Sequence, residues 1–556
     1  MIDYEPVLII ITPVIAASII SFLSPFLKTE RTKKIQKYIA IIGLSLPFFY
    51  LILLYPTVSI KTIQYNMGGW ATPYAITLII DPFNYTFLII SSLITLLAFI
   101  FSMKDVKKAK AKFSFFFLLM VAGIYGVFLS VDLFNIYVFF ELCVITSYIL
   151  VTLGDQKGSL KAAFTYLILG SIASLFFLLG IGLLYFNTGA LNIFHLSTLV
   201  SKLDVTIQLA VFTFLFGAVA VKAALPPFHT WLVDAHSTAP SAVSAVLSGI
   251  TVKIGLYIFL RVFTMGFQLQ GMTEFLLILG VVAALGGVIF ALFEWDIKRL
   301  LAYSTISQMG YIVVGLATFS AIGVAGGLYH IINHAVFKGL LFLCAGAMIY
   351  RTGTKDIRKH NIGTTMPVTL ITFIIAAFSI AGVTPFNGSV SKSIIEASLS
   401  NHPLVWFFLL LTCIGTITIF SKILYYSFLK TAIHNKIKQP SQEAPFSMQL
   451  PMVVLAFFCI ILGAFPHIWL DNIILPATSS IIGGYTTIQI KIFEPMTILK
   501  DWLLIGFGLL LLKIVISRAQ YIDKIRKRIV LPNLNIKVVM MMFALTLILS
   551  LFKFLN

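Results

Sequence analysis

The first residues in this sequence that could do chemistry are ionisable side chains inside long apolar runs. Glu141, Lys222, Lys253 and Lys338 lie near the middle or the deep end of such runs, and Lys392 follows a proline-containing break. An ionisable group at the centre of a bilayer costs about 2.5 kcal/mol or more, so each one requires a reason. A lysine removed from water releases its proton more readily, which suits it to proton relay near neutral pH. The pattern therefore predicts a proton path through a membrane.

Two histidines extend this set. His330, His334 and Lys338 follow one another at intervals of four residues, so they share one face of a helix. A rise of 1.5 Å per residue spreads this face over about 12 Å of depth. The spacing HxxxH also suits a metal ion, but no HExxH glutamate and no third ligand stands nearby. Histidines that are hydrogen-bonded in a packed core remain an alternative, and we predict a proton relay without a metal.

Two proline breaks interrupt runs that are otherwise suited to spanning helices. The first is LPPFHTWLVDAHSTAP at 225–240, and the second is GVTPFNGSVSK at 382–392. Proline removes a backbone donor and clashes with the preceding turn, so both helices are expected to break. Backbone groups freed at membrane depth are tolerated only beside protein or a hydrated cavity. We therefore expect two hydrated cavities, with His229 and His236 at a cytoplasmic entrance for protons.

The composition is that of an all-α polytopic membrane protein. Of the 556 residues, 59% are hydrophobic and 11% are charged, and the mean hydropathy is +1.02. Charged KTERTKK follows the first apolar run, which we therefore interpret as a retained span. The four cysteines stand singly and no nucleotide-binding motif is present, so we expect no disulfide and no cofactor. Sixteen spans are predicted, at 7–27, 38–58, 77–101, 113–130, 133–153, 161–187, 208–228, 240–265, 272–294, 298–318, 322–350, 364–400, 404–430, 447–466, 499–518 and 535–553.

The net charge of +19 comes from basic residues in alternate loops rather than in one patch. They follow the odd-numbered spans, at 28–37, 104–112, 157–161, 298–299, 351–359, 430–438 and 518–528. The positive-inside rule then makes the odd-numbered ends cytoplasmic and places both termini outside. We predict a multi-pass protein of a prokaryotic plasma membrane that binds lipid headgroups but no nucleic acid. The amphipathic tract RAQYIDKIRKR is expected on the cytoplasmic surface.

The breaks fall in the seventh and twelfth spans, five spans apart. Because five is odd, two tandem five-span units have opposite orientations, as in inverted-repeat transporters. The predicted divisions are helices 1–3 at 1–112, a first repeat at 113–265, a second at 266–430 and C-terminal helices 14–16 at 431–556. Each repeat has a lysine on its fifth helix, Lys253 or Lys422. Asp81, at the start of the third span, is expected to be a cap or interface residue rather than a proton carrier.

Several stretches resemble the proton-conducting antiporter-like family, which includes large membrane subunits of complex I, the A-type and D-type subunits of Mrp-type antiporters and their counterparts in energy-converting membrane-bound hydrogenases. The resemblance covers about residues 60–430 in order. The matching stretches are GGWATPYAITLIIDPF, DLFNIYVFFELCVITSYILV, LPPFHTWLVDAHSTAPSAVSAVLSGITVKIGLY, DIKRLLAYSTISQMGYI, LYHIINHAVFKGLLFLCAGAM and PFNGSVSK.

This resemblance implies a fourteen-helix core with two further C-terminal helices and a set of proton-translocation residues. Glu141 and Lys222 would form a gating ion pair, and Lys392 would be the terminal site toward the outer side. The central hydrophilic axis would consist of Lys253, His330, His334 and Lys338. Val233 and Thr384 depart from the family, which often has proline at both positions, and this affects the expected geometry of the breaks.

The function indicated is that of a proton-translocating subunit in a multisubunit membrane complex, similar to the D-type subunit of an Mrp-type antiporter. The alternative is a proton- or sodium-pumping subunit of a redox-driven complex, with the redox chemistry on other chains. A stand-alone solute carrier and a purely structural subunit remain further hypotheses, and Glu141 and Lys222 are alternatively a simple packing pair. The expected partners are other membrane subunits, protons and membrane lipids, with sodium left open.

Overall fold

A computed structural model describes most of the chain. It covers residues 4–25, 30–72, 74–106, 109–154, 158–267, 269–430, 442–483 and 494–528, together with alternate residues from 540 to 550. Within these ranges, thirteen helices are long and apolar enough to cross a membrane, and the shorter Pro367–Ala381 belongs to a further, broken span. The all-α polytopic fold is confirmed.

Fourteen spans agree in order with the first fourteen predicted from the sequence. Long apolar runs form these helices because a helix satisfies its own backbone hydrogen bonds where water is absent. Their bounds are Glu5–Leu23, Glu30–Val58, Pro82–Asp105, Lys110–Leu129, Leu133–Thr152, Ser159–Thr188, Val205–Lys222 with Thr230–Thr238, Ser241–Phe263, Met272–Phe293, Ile297–Ala317, Ala321–Thr352, Pro367–Ala381 with Asn387–Ala397, Pro403–Leu429 and Phe446–Ala464.

The seventh span breaks where the proline pair predicted it. Its first part ends at Lys222, the Pro226–Pro227 peptide is cis, and a second helix begins at Thr230. Carbonyls left free by the break accept hydrogen bonds from other groups of the protein. The indole of Trp231 donates to the Val221 carbonyl at 2.8 Å, and the amide of Leu225 donates to the carbonyl of Ala220 at 2.9 Å.

The twelfth span breaks at Pro385, also as predicted. Pro367–Ala381 ends at Gly382, whose φ of +82° favours glycine, and Asn387–Ala397 begins after the cis Thr384–Pro385 peptide. Gly388 is required by packing as well, because a Cβ atom there would lie 1.7 Å from the carbonyl oxygen of Ser379. The second half-helix therefore lies directly against the end of the first.

The eighth span, Ser241–Phe263, contains a turn of π-helix at Leu247–Thr251. A π turn leaves its local carbonyls less regularly paired than an α-helix does and often occurs at functional positions. This turn comes directly before Lys253 and is buried throughout.

The third predicted span starts too early. Residues Thr77–Ile80 form a strand that pairs antiparallel with Ile63–Asn66, and the helix begins only at Pro82. Asp81 caps this helix, as expected, by accepting a hydrogen bond from the Asn84 amide at 2.7 Å. The four-residue run TLII is apolar enough for either structure, so hydrophobicity alone did not separate strand from helix.

Beyond the fourteenth span the chain remains helical to Ile482, in a segment for which no element was predicted. The predicted fifteenth span corresponds to the helix Pro495–Ser517, which packs along Pro403–Leu424. Ala519–Arg528 follows as the amphipathic helix. The predicted sixteenth span, 535–553, lies largely outside the described residues.

Candidate functional site

The lysines and histidines singled out within the spans are buried in the helix bundle, whereas Glu141 is partly buried. Lys222, Lys253 and Lys392 are 2–3% exposed, and Lys338 is fully buried. His330 and His334 are also 0% exposed. Because an isolated charge in an apolar interior is costly, the surroundings of each of these amines decide what it can do.

Lys253 and His334 meet at the centre of the protein. The amine of Lys253 contacts Nδ1 of His334 and also donates to the Ser248 carbonyl at 2.5 Å. That carbonyl belongs to the π turn, so the irregular helix supplies an acceptor to the lysine five residues further along. The contact brings together a proton donor and an imidazole acceptor from the eighth and eleventh spans.

His330 lies one turn from His334, with their ring centroids 6.4 Å apart. Its Nε2 is 3.1 Å from Oε1 of Gln308, and its Nδ1 is 2.9 Å from the Ser391 hydroxyl. A neutral His330 therefore donates to Gln308 through Nε2 and accepts from Ser391 through Nδ1. The side-chain amide of Asn333 donates a second hydrogen bond to the Ser391 hydroxyl, at 3.0 Å.

Lys392 directly follows Ser391, the partner of His330, on the half-helix Asn387–Ala397. The Lys392 amine donates to the carbonyls of Ile380 at 2.8 Å and Ala381 at 3.2 Å. These carbonyls come from the end of the preceding half-helix, which the break leaves without helical donors. The amine also lies 4.8 Å from the centroid of the Tyr311 ring.

Lys338 shares the helix of His330 and His334, as expected from its spacing, but its amine is directed to the tenth span. It donates to the Leu301 carbonyl at 3.0 Å and to the Ser304 hydroxyl at 2.5 Å. Lys338 therefore forms a branch, apart from the contact of Lys253 with His334 and from the hydrogen bond of His330 to Ser391.

Lys222 and Glu141 are not in contact in this conformation. Among the described side chains, the amine of Lys222 hydrogen-bonds to the Tyr166 hydroxyl at 3.3 Å, and no carboxylate oxygen lies within 4.0 Å of it. Oε1 of Glu141 is buried and has no hydrogen-bond partner in the described part of the chain. The space beside Lys222, lined partly by Phe140 and Gly255, is too narrow for a water molecule.

Of the two histidines predicted at the cytoplasmic entrance, only His229 is partly exposed. His229 is half-buried and precedes the helix Thr230–Thr238, whereas His236 is fully buried with its ring centroid 5.4 Å from that of Phe342. Neither ring nitrogen of His236 has a hydrogen-bond partner among the residues that the structure describes. His236 therefore belongs to the packed interior of this conformation.

A polar cleft of about 240 Å³ opens beside the end of that helix instead. Asp105, Thr238, Ser241, Lys298 and Lys355 are among its lining residues, and the Lys298 amine donates to the Ala239 carbonyl at 2.7 Å. Burial lowers the pKa of the loop residue Lys355, although Asp296 opposes this effect. By the predicted orientation the cleft faces the cytoplasm.

Sequence reasoning missed several polar residues of this site, namely Tyr166, Gln308, Asn333 and Ser391. Gln308 and Asn333 carried a usable signal, since both are amides inside apolar runs, in ISQMGY and IINHAV. Tyr166 carried none, because a tyrosine in a helix of this composition is ordinary. Within the described ranges, no three His, Cys, Asp or Glu side chains are grouped so that they could hold a metal ion.

Residues 130–418 match the family described as NADH:quinone oxidoreductase/Mrp antiporter, transmembrane. Every residue of the predicted proton path, from Glu141 to Lys392, lies within this range. The chain is 34% identical to the D-type subunit of the Na(+)/H(+) antiporter of Alkalihalophilus pseudofirmus, over 82% of this chain and 93% of that protein.

Two solved structures are similar in fold. A chain of an archaeal membrane-bound sulfane sulfur reductase aligns with a TM-score of 0.80 and 26% identity, covering 86% of this chain and 97% of that one. A chain of the Mrp complex from Dietzia sp. DQ12-45-1b aligns with a TM-score of 0.77 and 22% identity, covering 91% and 99%. With the family match over more than half of its length, the chain belongs to the NADH:quinone oxidoreductase/Mrp antiporter transmembrane family.

Proposed function

We propose that this chain is the proton-translocating subunit of a multisubunit membrane complex and corresponds to the D-type subunit of an Mrp-type cation/proton antiporter. The observation that carries the proposal is the contact of the Lys253 amine with Nδ1 of His334 in the fully buried centre of the bundle. Two groups that exchange protons readily are expensive to bury, and a purely structural subunit has no use for them.

The central step is a proton transfer from Lys253 to His334. An N–H bond of the ammonium breaks and an N–H bond forms at Nδ1, which leaves a neutral amine and an imidazolium. The 6.4 Å between the centroids of His334 and His330 exceeds hydrogen-bond reach, so the next transfer requires a bridging water or a side-chain movement. From His330 the proposed path continues past the Ser391 hydroxyl to Lys392, and this step also requires a bridging water or a side-chain movement.

Glu141 and Lys222 form the gate in this proposal. The observed position of the lysine, on Tyr166, is the parted state. Pairing with Glu141 at about 4 Å and an effective dielectric constant of about 20 would stabilise the charged lysine by about 4 kcal/mol. That energy changes proton affinity by a factor of about 1000, enough to switch Lys222 between holding and releasing a proton.

A second candidate function is a pumping subunit of a redox-driven complex. It is favoured by the similarity to a chain of an archaeal respiratory membrane complex at 26% identity. The match to the antiporter's D-type subunit, at the higher identity of 34%, favours the antiporter. Purifying the native complex and identifying its other chains distinguishes the two, because only the second requires redox subunits.

The repeats at 113–265 and 266–430 remain part of the proposal, supported by a broken fourth helix in each.

The orientation in a prokaryotic plasma membrane with both termini outside is also part of the proposal. The four native cysteines are buried, so single cysteines introduced at the exposed Lys202 and Lys430 can report sidedness. An impermeant maleimide should label the first and not the second on intact cells, and the reverse result would invert the topology.

The function is tested with the native complex in proteoliposomes, by following proton movement with a pH-sensitive dye. Lys222→Ala and Lys392→Ala should each abolish coupled transport while the complex still assembles. Lys202→Ala, at an exposed position, is the matched control and should transport normally. Near-normal transport by both buried-site variants would refute the relay.

A further inference from the structure

The helix Pro495–Ser517 lies beyond the residues that match the family, yet it contacts the break of the twelfth span. Oδ2 of Asp501 accepts hydrogen bonds from the Thr384 amide at 3.0 Å and from the Thr384 hydroxyl at 2.8 Å. The neighbouring Lys500 pairs with Glu396 at 2.7 Å. Two consecutive residues of one helix thus hold the break and the far end of the half-helix that carries Lys392.

Asp501 is a buried carboxylate without an ion pair to any cation that the structure describes. The residue is 7% exposed, and its oxygen is held by an uncharged amide and an uncharged hydroxyl. A carboxylate that is merely structural is normally paired when it is buried this deeply. Asp501 is therefore a buried carboxylate that is held by uncharged groups within the described part of the chain.

Two hydroxyl groups link Asp501 to the half-helix that carries Lys392. The Thr384 hydroxyl that donates to Asp501 also lies 3.3 Å from the hydroxyl of Ser389, three residues before Lys392 on the same half-helix. The Lys392 amine binds the carbonyls of Ile380 and Ala381, directly before the segment that Asp501 holds. The carboxylate thus lies at the other side of the same short break.

We propose that Asp501 is the acceptor of the proton that leaves Lys392 toward the outer side. This inference rests on the proposed function and extends the path beyond the family-matched region. An N–H bond of the Lys392 ammonium breaks and an O–H bond forms on Asp501, through the Thr384 hydroxyl or a water beside it. A neutral amine and a neutral acid result, and the acid then releases its proton to the outer water.

The Lys500–Glu396 ion pair has a positioning role. It ties the outer end of the half-helix to the helix that carries Asp501, so the distance between Lys392 and its acceptor is held from both ends. The pair is partly exposed, with side-chain exposures of 32% and 14%, which places it toward water. Exposure increases from Lys392 to Asp501 and then to the Lys500–Glu396 pair, as expected for a path along which protons leave toward water.

The test asks whether Asp501 accepts a proton or only caps the break, and it replaces Asp501 with its uncharged isostere. Asp501→Asn keeps an oxygen that accepts from Thr384 but cannot carry the proton. A matched control exists at the opposite end of the same broken span. There Glu443 Oε2 accepts from the amides of Val368 at 2.9 Å and Thr369 at 3.2 Å, so Glu443→Gln also replaces a carboxylate cap by an amide.

Proton transport is measured with the native complex in proteoliposomes over a series of outer pH values. Asp501→Asn should lower the rate at least about tenfold and alter its dependence on outer pH, while Asp501→Glu should restore part of it. Glu443→Gln should stay within about twofold of the wild type. A rate for Asp501→Asn as close to the wild type as that of the control would overturn the proposal and leave Asp501 as a cap.

A second measurement applies if Asp501→Asn does not assemble. Infrared difference spectra of the wild-type complex at low and high outer pH should contain a protonated carboxyl band that shifts in Asp501→Glu. An unchanged band in that variant would contradict the assignment. Normal transport by both Lys222→Ala and Lys392→Ala would instead overturn the proposed function itself, so the two failures are distinguishable.

Discussion

The amine of Lys222 lies 3.3 Å from the hydroxyl of Tyr166 and donates a hydrogen bond to it in this conformation. The Tyr166 ring is stacked on Trp231, with centroids 4.3 Å apart and planes 6° apart. Trp231 in turn binds the Val221 carbonyl at the break. Tyr166, the hydrogen-bond partner of Lys222, is therefore held in place by the second part of the broken span, Thr230–Thr238.

Tyr166→Phe should weaken the gate. It removes the hydroxyl and keeps the ring stack, so Lys222 loses a hydrogen bond worth about 1.5–3 kcal/mol in its parted position. We expect turnover in proteoliposomes to fall about tenfold or more with assembly unchanged. Tyr185→Phe, at a residue 55% exposed in the same span, is the control. If both variants turn over alike, Tyr166 has no part in gating.

His334→Asn should block the central step. Asparagine can place a polar atom near the position of Nδ1 and so retain a contact with Lys253, but it cannot take up a proton. Transport in proteoliposomes should be lost while the assembled complex remains intact on a native gel. His467→Asn, at an exposed histidine, should have no effect. Substantial transport by the His334 variant would show that protons bypass this imidazole.

Thr238→Trp should slow proton uptake from the cytoplasmic side. The cleft beside Thr238 holds about 240 Å³, and an indole would fill much of it. We expect a several-fold lower initial rate when protons are supplied from that side. Thr198→Trp, in an exposed loop predicted to face outside, serves as the control. An unchanged rate would place the entrance elsewhere, with His229 as the remaining candidate.

Asp81→Ala should destabilise the protein. Arg261 donates to Asp81 at 2.8 Å, and their side chains are 4% and 9% exposed. Removing one partner of a buried ion pair leaves an uncompensated charge and costs about 3–5 kcal/mol. The purified complex should therefore unfold at a clearly lower temperature, whereas Glu274→Ala, at an exposed residue, should not differ from the wild type. Equal melting temperatures would mean that Arg261 finds another partner.

The spans and their breaks were predictable because the relevant physics is local. A run of about 20 apolar residues forms a helix wherever it lies in the chain, and a proline breaks it by its own geometry. The same holds for the face shared by His330, His334 and Lys338, since four-residue spacing along one helix needs no information about neighbours. Strand Thr77–Ile80 was missed for the opposite reason, because its partner lies in another segment.

The sequence by itself thus determined which runs form helices, which ionisable residues lie inside these runs, and where two of the spans break. Only the tertiary structure decided that Lys253 meets His334, 81 positions away, that Lys222 rests on Tyr166 rather than Glu141, and that Asp501 reaches Thr384. Side chains from different spans meet through the packing of whole helices, which depends on many small contacts along each interface. Spacing within any single segment carries no record of those contacts.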